Sequence, residues 1–291
     1  MNPERAMTPE SEEVKGGHAG IFTATLGCIC DSSAATDVKI ALEANCSADA
    51  KRGQSSCRLC AIRALTIFRC LKLSDLDRVE PYVDDMQFMK GHAIFREGEE
   101  GNWIFSVKTG SLKVLRRSQD GHFQINRILV RGSAIGLESL LPNPVYANSV
   151  FTIEDARVCR IPAQVIRGLA EESSELRDEL QSRWAQAVLE TEDWAAMRAF
   201  GSPGCRFARL LLKLAHVDFY DVFYLPKRAD LGNVLGISME TASRVVAEFR
   251  RKGLLRHTGF GRYQINRIAL INYCKAGGAI APGFSIGVSH G

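Results

Sequence analysis

No apolar run in this 291-residue chain approaches the roughly 18 residues that a membrane span needs. The first residues lack a basic segment followed by an apolar one, because Pro3, Glu4 and Glu10 interrupt any such pattern. The sequence also shows no Ser/His/Asp set, phosphate-binding loop or paired acidic site of the kind that catalysis requires. We therefore expect a cytoplasmic protein that neither crosses a membrane nor acts as an enzyme.

The basic residues are unevenly distributed along the chain. The composition is that of a globular protein, with 46% hydrophobic and 24% charged residues and a net charge of +4. Between Arg206 and Arg267 there are 12 Lys or Arg against 5 Asp or Glu, whereas the remainder has a small acidic excess. A basic module on a near-neutral body suits a polyanionic partner, although a solvated charged surface produces the same bias.

Residues 231–252 predict two short helices joined by a tight turn. Gly236 fits the left-handed position between them, and Ser238 is a suitable N-cap for the second helix. One face of that helix follows the i, i+3, i+4, i+7 rule through Ala242, Val245, Val246 and Phe249. The opposite face carries Glu240, Ser243, Arg244 and Arg251. A helix with this division is suited to contacting base edges in the major groove of DNA.

The segments on either side predict the rest of the architecture. Short strands separated by glycines extend from about Met86 to Ile161 and predict an antiparallel sandwich or roll. A hairpin with glycines at its tip, Leu254–Ile265, resembles the wing of a winged helix. Between the roll and the basic module, residues 163–200 predict one long helix that begins just after Pro162.

The long helix carries an apolar stripe at spacings of three, four or seven residues. Its members are Leu169, Leu176, Leu180, Trp184, Ala187, Val188, Thr191 and Trp194. The stripe is consistent with packing on the helix's own domain or with a coiled-coil seam between two chains. We favour the seam, because a protein that binds two-fold symmetric DNA sites needs a dimer.

Nine cysteines are many for a chain in a reducing compartment, where clustered cysteines indicate metal or redox chemistry rather than disulfides. Cys57 and Cys60 form a Cys-x-x-Cys pair, with Cys70 nearby and Cys159 far along the chain. Such a pair also suits zinc or a dithiol switch. Isolated cysteines acting as small hydrophobes account for Cys205 and Cys274.

The order of these parts resembles the Crp/Fnr superfamily of bacterial transcription regulators, in its Fnr/FixK branch. The resemblance covers residues 57–272 and rests on Gly91-His-Ala-Ile-Phe95, Ile104–Val107 with Gly110, and most specifically on Glu240-Thr-Ala-Ser243-Arg244. It implies an α+β protein with an N-terminal cyclic-nucleotide-binding-like jelly roll, a long dimerisation helix and a C-terminal winged helix-turn-helix.

The composition at the two ends of the chain and the resemblance between them together predict the domain boundaries. They are a flexible extension with a short helix near Asp37–Ala44 (1–56), a cysteine-bearing sensor roll (57–162), the dimerisation helix (163–200), the winged helix-turn-helix (201–275) and a disordered tail (276–291).

For the DNA site, the resemblance implies homodimers on an inverted repeat of TTGAT-like half-sites, with RNA polymerase as a further partner. Arg244 can donate twice to guanine, Glu240 can accept from cytosine, and Ser243 can reach thymine or a phosphate. The alternative for Glu240 and Arg244 is an i, i+4 ion pair on the helix surface. Weaker candidates for phosphate contacts are Lys227, Arg228, Arg250, Arg251 and Arg262.

For the signal, the resemblance implies an oxygen-labile [4Fe–4S] cluster held by Cys57, Cys60, Cys70 and Cys159, and therefore control by oxygen. The nine residues between Cys60 and Cys70 exceed the usual spacing in that family, so Cys46, Cys28 or Cys30 could replace the third ligand. Thiol redox chemistry or zinc is the alternative signal. No cyclic nucleotide is expected, because residues 136–148 contain no arginine to pair with its phosphate. A third hypothesis is a ligand-binding module that does not bind DNA.

Overall fold

The structure, a computed structural model, describes residues 51–54, 56–119, 122–215 and 221–276, all within one compact unit. The predicted helix near Asp37–Ala44, the alternative ligands Cys28, Cys30 and Cys46, and the tail after Ala276 lie outside the described residues. Among the helices of the described ranges, none is both long enough and apolar enough to cross a membrane.

Nine strands form the N-terminal roll as two antiparallel sheets. The strands are β1 (Lys51–Gln54), β2 (Asp84–Phe88), β3 (Ala93–Phe95), β4 (Trp103–Thr109), β5 (Leu112–Arg117), β6 (Phe123–Leu129), β7 (Ala134–Ile135), β8 (Ser149–Thr152) and β9 (Ala156–Pro162). One sheet has the order β1-β2-β9-β4-β7 and the other β3-β8-β5-β6. Strand β1 lies within residues 1–56, the stretch predicted as a flexible extension. Residues 51–54 are nevertheless ordered as a strand, because their backbone pairs with β2.

The five-stranded sheet is covered on its outer face, which is why β4 is buried along most of its length instead of alternating. Residues 57–79, including helix α1 (Leu73–Val79), pack on this face together with the helices that follow the roll. Ile67, Leu76, Ile104 and Ile161 are fully buried in this cluster. The cysteine-bearing segment is therefore part of the core of the roll.

The region predicted as one long helix is two helices, α2 (Ala163–Glu172) and α3 (Ser174–Ala199). The break occurs at Ser173, whose backbone is extended and whose Oγ accepts from the backbone N–H of Leu176 at 3.2 Å. Serine competes for backbone hydrogen bonds in helix interiors and is favoured at N-caps. The prediction of a continuous helix over 163–200 is therefore wrong at this one position.

The apolar stripe predicted as a seam mostly faces the chain itself. Leu169, Leu176 and Leu180 are buried against the roll, and Trp194 is buried against the C-terminal domain. Val188 and Thr191 of the predicted stripe are exposed, and the face of α3 that points outward also carries Ala185, Leu189, Glu192, Ala196 and Ala199, all exposed. The predicted stripe therefore combined residues that pack within the chain with residues that are exposed on the surface of α3.

The C-terminal domain is a winged helix-turn-helix. It consists of α4 (Pro203–Ala215), β10 (Val222–Tyr224), α5 (Arg228–Leu235), α6 (Met239–Arg251), β11 (Leu255–Gly259), β12 (Arg262–Ile265) and α7 (Arg267–Ala276). The three strands form one sheet in the order β10-β12-β11. Phe249 of α6 packs edge-on against Phe207 and Tyr273, with ring centroids 5.0 and 5.1 Å away. These contacts fix α6 against the domain core.

Candidate DNA interface and cysteine site

Helix α6 has the start and the buried face that the sequence predicts. Gly236 is left-handed, with φ 64° and ψ 43°, and Ser238 Oγ accepts from the backbone N–H of Thr241 at 3.2 Å. The apolar residues Ala242, Val245, Val246 and Phe249 are buried. The predicted turn, cap and core face are confirmed, and they orient the opposite face outward.

The three predicted base-contacting side chains, Glu240, Ser243 and Arg244, are exposed together on that outward face. Arg244 Nη2 donates to Thr241 Oγ1 at 3.1 Å, and no ion pair joins it to Glu240 within the described part of the chain. The pKa of Glu240 is lowered, first by a backbone N–H at the helix start and then by the Ser238 hydroxyl. Glu240 is therefore an ionised acceptor, as a contact to the cytosine amino group requires.

The predicted phosphate-contacting residues differ in their surroundings. Lys227, Arg250 and Arg251 are exposed, whereas Arg228 is half-buried. Arg262, on the wing, donates from Nη2 to Glu154 Oε2 of the roll at 3.1 Å. All five are thus exposed or half-exposed, and Arg262 is in addition hydrogen-bonded to the roll.

The winged domain is attached to the roll through α5, a contact that the sequence did not predict. Asn233 Oδ1 accepts from the backbone N–H of Ile125 at 2.6 Å, and Asn233 Nδ2 donates to the backbone oxygen of Phe123 at 2.8 Å. Lys113 Nζ lies 2.7 Å from Asp230 Oδ1, with both side chains largely buried. Asn233 lies in the last turn of α5, and an asparagine there, which lowers helix propensity, was the signal that the sequence offered.

Three of the four predicted ligand cysteines share one neighbourhood. Cys57 and Cys159 are buried, and Cys60 is half-buried. The pKa of the Cys57 thiol is raised to about 12, first because burial disfavours the thiolate and next because of repulsion by Cys159, Glu80 and Cys60. The same electrostatic neighbourhood includes Lys108.

Cys70 lies elsewhere, beside α3. Its Sγ donates to the backbone oxygen of Ile67 at 3.6 Å, and its pKa is raised by burial and then by Glu179. Within residues 51–276, leaving out the undescribed gaps, no group of three or more His, Cys, Asp or Glu side chains is arranged to hold a metal ion. The predicted set of four does not come together, because Cys70 faces the helix and not the other thiols.

A polar row on the five-stranded sheet lies next to these thiols. Cys159 is directly opposite Asp85 on one neighbouring strand and opposite Ser106 on the other. Asp85 accepts from Lys108 Nζ and from Arg157 Nη2, each at 2.6 Å. Ser106 Oγ is buried and has no hydrogen-bond partner among the described residues, an exception in a protein interior. The donor set here is thus three thiols and one unsatisfied hydroxyl, which is one thiolate short of the four that a [4Fe–4S] cluster requires.

The cysteine segment is joined to α3 by a buried carboxylate. Glu179 accepts from Arg69 Nε at 2.6 Å and from Arg183 Nε at 2.7 Å, and its side chain is 4% exposed. Arg183 also donates to the backbone oxygen of Thr66 at 3.2 Å. These contacts couple residues 66–70 to the helix, and sequence periodicity gave no indication of them.

A cavity of about 330 Å³ lies between α3 and the roll, lined by Arg127, Gly136, Glu138, Trp184 and Glu192 among others. Arg127 comes from β6, outside the residues 136–148 on which the sequence-based expectation about nucleotides rested. Burial lowers the pKa of its guanidinium, and Glu190 lies 4.0 Å away. The surrounding carboxylates outnumber this one cation, which disfavours an anionic ligand such as a nucleotide phosphate.

Comparison with known proteins matches both halves of the chain. Residues 85–173 match the family described as "Cyclic nucleotide-binding domain", and residues 205–271 match "Crp-like helix-turn-helix domain". The chain is 26% identical to the transcriptional activator protein FnrA of Stutzerimonas stutzeri, over 78% of this chain and 95% of that protein. It is also 26% identical to the transcriptional activator protein anr of Pseudomonas aeruginosa, over 71% and 87% of the two chains.

Solved structures support the fold. FixK2 from Bradyrhizobium japonicum is similar with a TM-score of 0.59 at 24% identity, over 65% of this chain and 96% of that one. A transcriptional regulator of the CRP family from Thermus thermophilus is similar with a TM-score of 0.54 at 21% identity, over the same shares of the two chains. The predicted α+β arrangement of a roll, helices and a C-terminal helix-turn-helix is confirmed.

Proposed function

Because the chain belongs to the Crp/Fnr family and is a DNA-binding transcription regulator of the Fnr, Anr and FixK type, we propose that it binds inverted repeats of TTGAT-like half-sites as a homodimer. The observation that carries this proposal is the joint exposure of Glu240, Ser243 and Arg244 on a capped helix. Each chain would contact about five base pairs, so useful affinity needs two chains at a fixed spacing of about 34 Å.

The dimer interface that we propose is the outward face of α3. Ala185, Leu189 and Ala196 recur there at helical spacing, and Val188 and Leu189 are 57% and 63% exposed. Small and aliphatic residues in such a row pack well against a second copy of the same helix. As a regulator at promoters, the dimer would also contact RNA polymerase.

The DNA proposal is tested by Arg244→Ala, with Arg177→Ala as a matched control. Both changes remove an exposed arginine, but Arg177 lies in the first turns of α3, at the roll. A bidentate contact to guanine contributes about 1–3 kcal/mol per half-site. We expect Arg244→Ala to weaken binding to a TTGAT inverted repeat by at least tenfold in fluorescence anisotropy and Arg177→Ala to leave it unchanged. Equal affinities for both variants would show that Arg244 does not contact the bases, and a protein that does not bind the duplex at all would favour the ligand-binding module.

For the signal, we propose that the group of Cys57, Cys60 and Cys159 is the sensor and that an oxygen-labile [4Fe–4S] cluster is the first candidate for what it holds. Support comes from the burial of these thiols in one neighbourhood and from the contacts that link their segment to α3. The fourth thiolate would come from Cys70 after a rearrangement of its segment, or from Cys28, Cys30 or Cys46. Loss of the bound state would then loosen the segment against α3 and weaken dimerisation.

The position of Cys70 favours a second candidate, in which zinc or a thiol–disulfide change at the same cysteines is the signal. Zinc is commonly held by three thiolates and one further ligand, and a dithiol switch needs only two thiols. Both schemes leave Cys70 where the structure has it. DNA binding would be controlled through the same segment and the same helix.

Anaerobic purification followed by iron and sulfide analysis separates these candidates. We expect iron and acid-labile sulfide in the unmodified protein, a loss of both in Cys57→Ser and Cys159→Ser, and retention in Cys205→Ser, whose cysteine lies in the core of the winged domain. The cluster would be contradicted if the purified protein contained no iron and sulfide and kept full DNA binding after an iron chelator was added under reducing conditions. Zinc analysis and thiol counting then decide between the remaining two schemes.

A further inference from the structure

The wing arginine Arg262 is held by the roll through a single carboxylate, that of Glu154. Arg262 begins β12, and its Nη2 donates to Glu154 Oε2 at 3.1 Å. The Arg262 side chain is 50% exposed, whereas that of Glu154 is 12% exposed. The other oxygen of Glu154 accepts from Ser111 Oγ at 3.0 Å. The carboxylate is thus fixed in the roll, and the long guanidinium side chain is the mobile partner.

Further contacts between the roll and the wing sheet lie next to the Glu154–Arg262 pair. Tyr224 pairs directly with Arg262 in the wing sheet, and the Lys90 ammonium lies 4.8 Å from the centre of the Tyr224 ring. The backbone N–H of Lys90 donates to Asp155 Oδ1 at 2.8 Å. The acidic pair Glu154 and Asp155 of the roll therefore lies beside Tyr224 and Arg262 of the wing sheet.

An arginine bonds a carboxylate and a phosphate with the same donor geometry. We propose that Glu154 is an internal substitute for a DNA phosphate, which engages Arg262 in the free protein and is replaced by a backbone phosphate when DNA binds. The proposal rests on DNA binding by the winged domain. When Arg262 binds the phosphate, Glu154 loses its arginine partner from the wing. The ion pair in the free protein therefore opposes DNA binding and lowers the affinity for DNA.

This exchange explains the difference between Arg262 and the exposed phosphate candidates Arg250 and Arg251. Those two lie in the last turn of α6, where no carboxylate of the roll competes for them, within the residues that the structure describes. Of Arg250, Arg251 and Arg262, Arg262 alone is bonded to the roll within the described residues, so we expect the roll to control the wing contact. Any movement that separates the roll from the wing sheet would release Arg262 and strengthen DNA binding.

The test compares Glu154→Gln, Arg262→Gln and the double variant, with Glu171→Gln as the control that removes one exposed carboxylate elsewhere. Glutamine keeps an acceptor for Ser111 but pairs weakly with a guanidinium. Binding to a TTGAT inverted repeat and to an unrelated duplex is measured between about 50 and 200 mM salt. Glu154→Gln should bind both duplexes about 3- to 10-fold more tightly. The slope of log K against log[salt] should stay about the same for Glu154→Gln, because Arg262 contacts a phosphate in both complexes. For Arg262→Gln the slope should become shallower by about 1.8 per dimer, because two wings each lose a phosphate contact of about 0.9.

The gain must depend on Arg262. The double variant should therefore match Arg262→Gln, and Glu171→Gln should match the unmodified protein. Weaker or unchanged binding by Glu154→Gln overturns the proposal, and so does an equal gain in the Arg262→Gln background, which would reflect net charge alone. If the protein binds the TTGAT repeat no more tightly than the unrelated duplex but Glu154→Gln still binds both more tightly, the proposed DNA sequence is wrong and the proposed role of Glu154 is supported.

Discussion

At the scale of single residues, two serines of the same helix region have different roles because their surroundings differ. Ser238 acts on the backbone of α6, where its hydroxyl caps the helix. Ser243, one and a half turns later, is exposed on the side that faces outward. The first serine stabilises the protein, and the second is available to DNA.

These two serines give a paired prediction. Ser238→Ala should lower the free energy of unfolding by about 1 kcal/mol, because the cap hydrogen bond to Thr241 is lost. Ser243→Ala should change stability by less than about 0.5 kcal/mol, since the site is exposed, and should weaken binding to a TTGAT repeat. Urea unfolding and anisotropy on the same samples measure both quantities. The assignment fails if the two variants show the reverse pattern.

At the scale of secondary-structure elements, α3 has different surroundings at its start, in its middle and at its end. Its first turns pack on the roll and on the cysteine segment, its last turns pack on the winged domain, and its middle turns leave aliphatic residues exposed. Contact of one helix with both domains means that a shift of the cysteine segment displaces the element that carries the proposed dimer face. Glu179 is the polar centre of that contact.

Glu179→Gln should therefore destabilise the protein by about 3 kcal/mol. Arg183, with a side chain only 14% exposed, would lose its charged partner, and an unpaired buried charge is costly. The exposed Glu171→Gln on the neighbouring helix should change stability by no more than about 0.5 kcal/mol. Thermal unfolding measures both. Replacement of Glu179 without loss of stability would show that the segment is held by its apolar contacts alone.

At the scale of the whole molecule, the roll and the winged domain form one described unit and contact each other through Asn233, Asp230 and Arg262. These contacts fix the orientation of α6 relative to α3 in one chain. The spacing of two α6 helices in a dimer therefore follows from how two copies of α3 pack. In the dimer that we propose, the packing of α3 would therefore set both the geometry of the dimer and the spacing of the DNA half-sites.

Leu189→Glu should abolish dimerisation, because it places a charge on each side of the proposed interface. Leu73→Glu is the matched control: Leu73 is also exposed, at 53% against 63% for Leu189, and begins α1 on the roll. We expect sedimentation equilibrium to show a monomer for Leu189→Glu and unchanged association for Leu73→Glu. A dimer that survives Leu189→Glu would place the interface on another surface.

The recognition helix, its cap, the wing and the strands of the roll could be predicted from the sequence, because they depend on local periodicity and turn chemistry. Ser238, Gly236 and the apolar face of α6 act within a few residues of one another. The break at Ser173 was also a local signal, but the apolar stripe on both sides of it outweighed the serine.

The sequence by itself determined most of the elements and the exposed face of α6 that we propose to contact DNA, since each depends on neighbours close along the chain. Only the tertiary structure decided which cysteines meet, which face of α3 stays open, and where Arg262 is held. Cys70 faces Glu179, 109 positions away, and Arg262 meets Glu154 across 108 positions. Contacts between residues so far apart follow from how whole elements pack against each other, and spacing along a single element carries no information about that packing.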